Sequence, residues 1–280
     1  MSGRADTPGQ AGVPRLVATD LDGTLVGADG HVSARTRAVL QAVEEAGVIV
    51  VFVTGRPLRW AELVFDDVGD HGVAIVANGA LVWDVAASTS RLERPIGVEV
   101  VHRVTDALRA AVPGTSFALE TMTGIGLEAG FTSRFPLPEG TRQGPLSELT
   151  DEAPVLKILA RHEEHEPEDF WRVATEALGE EVVVTWSSAS ALLEISAAGV
   201  TKATSLALLC EELGIDAADV VAFGDMPNDL PMLTWAGRSW AMANAHPSVL
   251  AVADHVAPDH DEDGVAQVLV ELVPSAARMM

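Results

Sequence analysis

Cysteine is almost missing from this 280-residue chain. Cys210 stands alone, so no internal disulfide can form and a reducing, intracellular setting is expected. Lysine is nearly as scarce: Lys157 and Lys202 are the two lysines among 18 basic residues. Against these stand 41 acidic residues, for a formal net charge of −23. That imbalance repels nucleic-acid phosphates and anionic membrane surfaces, which argues against both as partners. Long apolar runs are missing too. The longest strongly apolar run, 48–53, falls far short of the ~18 residues of a membrane span. Residues 1–14 are polar and rich in Gly and Pro, without the apolar centre of a targeting segment, and read as a flexible tail. A cytoplasmic protein is expected.

What is present is globular. Hydrophobic residues make up 48% and charged residues 21%, an ordinary balance for a folded chain. The length exceeds one typical domain of ~100–150 residues. Apolar runs at Leu16–Thr19, 48–53 and Val73–Val76 alternate with helical patterns, the first of them 36–46 closed by Gly47. This β-α-β-α-β rhythm predicts an α/β fold with a doubly wound parallel sheet and right-handed crossovers. The rhythm breaks after Leu81–Asp84. Strands at 116–120, 155–160, 182–186 and 192–195, with helices near 99–112 and Pro167–Leu178, suggest an α+β unit, and it resumes at Lys202. The expected organisation is a discontinuous core, 15–84 and 197–280, with an inserted domain at 85–196.

Ligands of open α/β sheets bind at the carboxyl ends of the strands. Three core strands end in polar clusters: Asp20/Asp22; Thr54-Gly55-Arg56; and Gly224-Asp225, followed by Asn228 and Asp229. Two residues apart at an extended strand end, Asp20 and Asp22 point to the same side. Four carboxylates converging there would repel one another unless a cation sat among them, and hard oxygen donors with open positions suit Mg²⁺.

Taken in order, the motifs resemble those of the haloacid dehalogenase-like phosphohydrolases of the Cof-type branch. Asp20-Leu21-Asp22-Gly23-Thr24 matches the nucleophile motif and Val53-Thr54-Gly55-Arg56 the second. Gly199-Val200-Thr201-Lys202 matches the lysine motif, and Gly224-Asp225-Met226-Pro227-Asn228-Asp229 the metal motif. Asn78-Gly79-Ala80, Met242-Ala243-Asn244-Ala245 and Asp261-Glu262-Asp263-Gly264 are also similar to stretches of that branch, while Ala203 and Ala243 replace frequent glycines. The resemblance implies a Rossmann-like core with an inserted cap, and a Mg²⁺-dependent phosphatase acting on a small soluble phosphate monoester. A sugar phosphate leads, with flavin mononucleotide or pyridoxal phosphate next. It implies Asp20 as nucleophile forming an aspartyl-phosphate, and Asp22 as general acid and base. Thr54, Gly55, Arg56, Lys202 and Asn228 would lie around the phosphate. Asp20, Asp22 (through its carbonyl), Asp225 and Asp229 would form the metal site.

Plainer readings apply elsewhere. Asp20 and Asp22 alone would suit a turn, and an EF-hand fails because position twelve from Asp20 is His31. His162 and His165 lack metalloprotease spacing and suit a solvated turn, and His255 and His260 suit an exposed loop. Cys210 lies among leucines in an amphipathic helix and suits core packing. Lys157 either reaches substrate from the inserted domain or lines an open sheet face. Three functional classes stay open: a phosphatase, a phosphotransferase or phosphomutase sharing Asp20, and a non-catalytic binding protein on the same fold.

Overall fold

All four residues of β1 (Leu16–Thr19) are buried, as a mainly apolar strand inside a parallel sheet requires. The computed structural model describes residues 12–68, 72–134, 136–151, 153–187 and 191–276; most of the expected tail, residues 1–11, lies outside them. β1 is followed by α1 (Ala34–Glu45), β2 (Ile49–Val53), α2 (Leu58–Val68), β3 (Val73–Val76), β4 (Leu81–Asp84) and β5 (Thr89–Glu93). The middle of the chain forms α3 (Val98–Ala111), β6 (Ser116–Thr121), β7 (Ile125–Leu127), β8 (Arg142–Gln143), α4 (Leu146–Leu149), β9 (Val155–Arg161), α5 (Pro167–Leu178), β10 (Val182–Thr185) and β11 (Leu192–Ala197). The last third adds α6 (Lys202–Leu213), β12 (Val220–Gly224), α7 (Leu230–Trp235), β13 (Arg238–Met242), α8 (Pro247–Leu250), β14 (His255–Ala257) and α9 (Gly264–Leu272).

Two sheets result. The first has eight strands in the order β14-β13-β12-β1-β2-β3-β4-β5. From β14 to β3 the strands are parallel, and β4 and β5 close the edge antiparallel. The expected parallel sheet is therefore mixed at one edge. The break expected at 84/85 falls inside the β4–β5 hairpin, so Thr89–Glu93 stays on the first sheet. Its alternating exposed and half-buried residues mark a solvent-facing edge strand, which gives little apolar signal in sequence. His255, expected in a loop, pairs with Trp240 in β14.

The second sheet, β10-β11-β9-β6-β7-β8, is antiparallel except for the β7–β8 pair. One face packs on α3 and α5 through Val101, Leu108, Phe170 and Ile158 in a core of its own. Two linkers join the sheets, and Arg94 ties one to the other. Its guanidinium donates to the Gly199 carbonyl at 3.0 Å, to Thr204 Oγ1 at 2.8 Å and to Ser205 Oγ at 3.0 Å. Among the described residues, no helix is long and apolar enough to cross a membrane.

Local chemistry sets the element ends that matter. Thr201 and Thr204 form a reciprocal capping box at the start of α6, which places Lys202 in its first turn. Gly214, in the left-handed region at φ 63°, stops that helix. The direction of strand addition reverses between β1 and β12. Thr19 lies opposite Phe223, so the residues that follow each strand emerge side by side at the carboxyl edge, where such sheets hold ligands.

Candidate active site

Asp20 follows β1, and its amide donates to the Phe223 carbonyl at 3.1 Å, which sets it beside the end of β12. Asp225 follows β12, and Asp229 sits one short turn later. Carboxylate oxygens of Asp20, Asp225 and Asp229 lie within 4.8 Å of one another, and all three residues are buried. Close approach depends on glycine: a Cβ on Gly23, which has φ +72°, would stand 2.4 Å from Asp225 Oδ2, and one on Gly224 would stand 2.6 Å from Asp229.

Lys202 enters this cluster from the start of α6. Its Nζ donates to Asp20 Oδ1 and to Asp229 Oδ1, each at 2.6 Å. Asp229 Oδ2 accepts the amides of Asp225 at 3.0 Å and Met226 at 3.1 Å. Both Asp229 oxygens are therefore engaged by the chain itself. Thr24 donates to Asp225 Oδ1 at 3.3 Å.

Burial drives the electrostatics. It pushes the Asp20 carboxyl well above its usual range; Lys202 opposes the rise, and Asp229, Asp225 and Asp22 add to it. Asp225 is pushed up to about 7, first by burial and then by Asp229. Burial alone would lower the Lys202 ammonium, but the charges and hydrogen bonds of Asp20 and Asp229 outweigh it and hold the ammonium above its ordinary value.

Asp22 takes a different direction. Its side chain is 60% exposed, and both oxygens accept from Arg56, Oδ2 from Nε at 2.8 Å and Oδ1 from Nη2 at 2.6 Å. Arg56 therefore meets a carboxylate rather than standing free for phosphate. Thr54 is fully buried, and its hydroxyl oxygen accepts the Arg56 amide at 3.0 Å.

A second chain of polar contacts ends at Asn228. Lys157, buried on β9, donates to the Gly55 carbonyl at 2.7 Å and to Glu194 Oε1 at 3.0 Å. Glu194 Oε2 accepts from Asn78 Nδ2 at 2.7 Å, and Asn78 Oδ1 accepts from Asn228 Nδ2 at 3.1 Å. A carboxylate can only accept, so Glu194 fixes which way both amides face. The outcome is that Asn228 Oδ1, buried, has no partner. A Cβ on Gly55 would come within 3.0 Å of Asn78 Oδ1 and 3.2 Å of Glu194 Oε2, so Gly55 leaves the room this chain of contacts needs. Ala77 and Asn78 both have positive φ, 50° and 57°, a conformation that costs free energy and clusters at functional sites.

The structure thus gathers Asp20, Lys202, Asp225 and Asp229 tightly, with Asp22, Thr54, Gly55, Arg56 and Asn228 around them. Asp20, Asp22, Gly55, Arg56 and Asn228 line one cleft of about 880 Å³ between the sheets. Sequence reasoning gave Asn78 and Glu194 no role. The available signal was a lone carboxylate in the apolar run Leu192-Leu193-Glu194-Ile195. Lys157 is neither on an open face nor free in the cleft. It is anchored across it.

Comparison with known proteins agrees with this geometry. A family model described as haloacid dehalogenase-like hydrolase matches residues 17–269. The chain is 31% identical over 274 residues to YxeH of Bacillus subtilis, covering 92% of this chain and 98% of that one. It is 29% identical over 258 residues to the 5-amino-6-(5-phospho-D-ribitylamino)uracil phosphatase YcsE of the same organism, covering 91% and 94%. The crystal structure of SMU.1108c from Streptococcus mutans has the same fold, with a TM-score of 0.82 at 24% identity over 93% of this chain and 99% of that one.

Proposed function

Because the chain belongs to the haloacid dehalogenase-like hydrolases and is a phosphoric monoester hydrolase, we propose that it is a Mg²⁺-dependent phosphatase of small phosphorylated metabolites, with Asp20 as nucleophile. The observation that carries this reading is the bridge from Lys202 to Asp20 and Asp229, placed beside Asp225 at the carboxyl edge of the sheet. A similar phosphatase whose substrate joins phosphate to a ribityl chain favours a sugar-derived ester.

The donor set suits the metal. Its oxygens are all hard, and Asp20 and Asp225 are disfavoured as anions by burial and mutual repulsion, a penalty that a divalent cation relieves. Asp20, Asp225 and the main-chain carbonyl of Asp22 would hold Mg²⁺. When bound, it would supply positive charge to the phosphoryl oxygens. Asp229, expected among the ligands, fits better as the group that fixes Lys202 and the Asp225 backbone, because both of its oxygens are already engaged.

Asp20 would attack phosphorus and displace the alcohol, forming an acyl phosphate on its own carboxylate that water then cleaves. Lys202 holds the attacking carboxylate in place and offers positive charge to the transferring group. The Thr54 hydroxyl, which accepts from Arg56, keeps its own proton to donate to a phosphoryl oxygen. Asp22 would protonate the leaving oxygen and later take a proton from water. Clamped by Arg56, it must first turn its carboxyl toward the site. The unpartnered oxygen of Asn228 calls for a donor, which suits a substrate hydroxyl better than a phosphate oxygen.

Asp20→Asn tests the reading. The variant should keep the circular-dichroism spectrum and lose turnover, while wild type quenched rapidly after mixing with substrate should carry phosphate on the Asp20 peptide. Substantial turnover by Asp20→Asn, or phosphate on another residue, would overturn the proposal.

A further inference from the structure

Strand β9 presents Lys157, Leu159 and Arg161 to the cleft between the sheets, while Ile158 and Ala160 face the core beneath. The alternation is that of any strand with one buried face. At ~3.3 Å per residue the three side chains are spaced over roughly 13 Å. Lys157 marks the end near Asp20, since it holds the Gly55 carbonyl. Leu159 packs with Phe131 and Leu192 in a small apolar cluster midway. Arg161 marks the far end.

Arg161 is 4% exposed. Its Nε is buried without a hydrogen-bond partner, and among the described residues no carboxylate lies within ion-pair distance of it. Its guanidinium lies over the face of Phe131, 5.5 Å from the ring centroid. Arg134 repels it and Glu163 attracts it from beyond ion-pair distance, while Glu163 lies 3.9 Å from Arg134. The other cations of the site have carboxylate partners within the chain: buried Lys157 has Glu194 and buried Lys202 two aspartates, while half-buried Arg59 meets Glu120 through both of its terminal nitrogens, although its Nε too lacks a partner. In a protein with 41 acidic residues and 18 basic ones, a buried guanidinium facing a ligand cleft without a carboxylate is out of pattern, because a buried unpaired charge is strongly disfavoured.

We propose that Arg161 is a specificity-determining residue that binds an oxyanion on the alcohol portion of the substrate, so that the preferred ester carries a second acidic group at the end remote from the phosphate being cleaved. The inference rests on the phosphatase reading above and narrows its substrate class. A carboxylate and a phosphate-like group share the recognising chemistry, since the planar guanidinium takes either by paired N–H donors. The apolar cluster of Leu159, Phe131 and Leu192 covers the middle of the ligand, and Phe131 fixes the plane of the guanidinium.

The test is a ratio. Three series of phosphate monoesters of increasing chain length would be assayed by kcat/KM, ending in a neutral hydroxyl, a carboxylate or a phosphonate. At its best length, an acid-terminated ester should exceed its hydroxyl-terminated match by about 10–10²-fold, as expected for hydrogen bonds made to a charged group. The better of the carboxylate and phosphonate series identifies the oxyanion. In Arg161→Met, which keeps an unbranched apolar stem but no charge, that ratio should fall to near one; Arg161→Lys should keep part of it. Because the substitution removes an unpaired buried charge, Arg161→Met should not lower the melting temperature, which separates lost recognition from lost folding. Turnover without preference at any length, or a preference that persists in Arg161→Met, would overturn the assignment of Arg161 alone. Absence of turnover for every ester would overturn the phosphatase reading and this inference with it.

Discussion

Lys157 reaches out of the second sheet to the main-chain carbonyl of Gly55 on the first, 2.7 Å away, and is neutralised by Glu194 beside it. Both groups are buried, so each depends on the other. Lys157→Met leaves a buried carboxylate without its cation and should cost about 3–5 kcal/mol. In Glu194→Gln the amide can still accept from Asn78 but strands Lys157. The double variant should lose less than the sum of the two. Urea midpoints for the three proteins give the coupling, and strictly additive losses would count against a paired arrangement.

The Arg56–Asp22 pair leads to a prediction about leaving groups. If Asp22 protonates the departing alcohol, Asp22→Asn should cost roughly 10²–10⁴-fold in kcat for an alkyl phosphate. For p-nitrophenyl phosphate, whose anion leaves unaided, the loss should be much smaller. Steady-state assays with both esters decide the matter. Equal losses would assign Asp22 to binding instead.

Asp225 makes stability depend on pH. Its folded pKa is raised from an ordinary 3.8 to about 7, first by burial. Between those values the folded state binds more protons than the unfolded one, so stability falls as pH rises. The decline is complete above pH 7 and amounts to roughly 4 kcal/mol at most. Thermal melts in excess chelator should show it, and Asp225→Asn should flatten it. Mg²⁺ should raise the melting temperature most on the alkaline side, where the carboxylates are ionised and ready to bind it.

With two lysines in the whole chain, amine chemistry becomes a clean probe. Lys202 is 1% exposed and Lys157 2%, and Lys202 is held protonated by two carboxylates. Neither should react with acetic anhydride in the native protein, and both should react in denaturant. Mass spectrometry of the two peptides reads this directly; rapid native acetylation of Lys202 would mean that the Asp20–Lys202–Asp229 bridge opens readily. Lys202→Met, by contrast, should lower kcat/KM by about 10²–10³-fold.

How much of this was legible in sequence depends on range. Leu16–Thr19 and Pro167–Leu178 were readable to the residue because each follows its local pattern, a buried apolar run and a helix opening on proline. Asp20 and Asp225 could be placed because each follows a strand end with glycine beside it, whereas Lys202 came only through the motif resemblance. Thr89–Glu93 was not, since an exposed edge strand has no apolar stripe. The link from Glu194 through Asn78 to Asn228 was not legible either. It joins residues 116 and 150 positions apart, and no local rule places a strand carboxylate of one sheet against a loop amide of the other. The occupied oxygens of Asp229 are likewise a tertiary fact, invisible in a motif that lists it with Asp225.

The strand order of the first sheet bears on how the protein is made. β1 lies between β2, which follows it within about thirty residues, and β12, some two hundred residues later. A chain leaving the ribosome can pair β1 on one side early, while its other edge stays bare until the final third emerges. That edge is mainly apolar and open to wrong partners throughout. Asp20 is also the first member of its cluster to be made and waits longest for company, because Lys202, Asp225 and Asp229 are all synthesised after the second sheet. The enzyme therefore gains its chemistry only near the end of translation. Fragments that stop before Val220 should be inert and prone to aggregate, however well their own second sheet has folded.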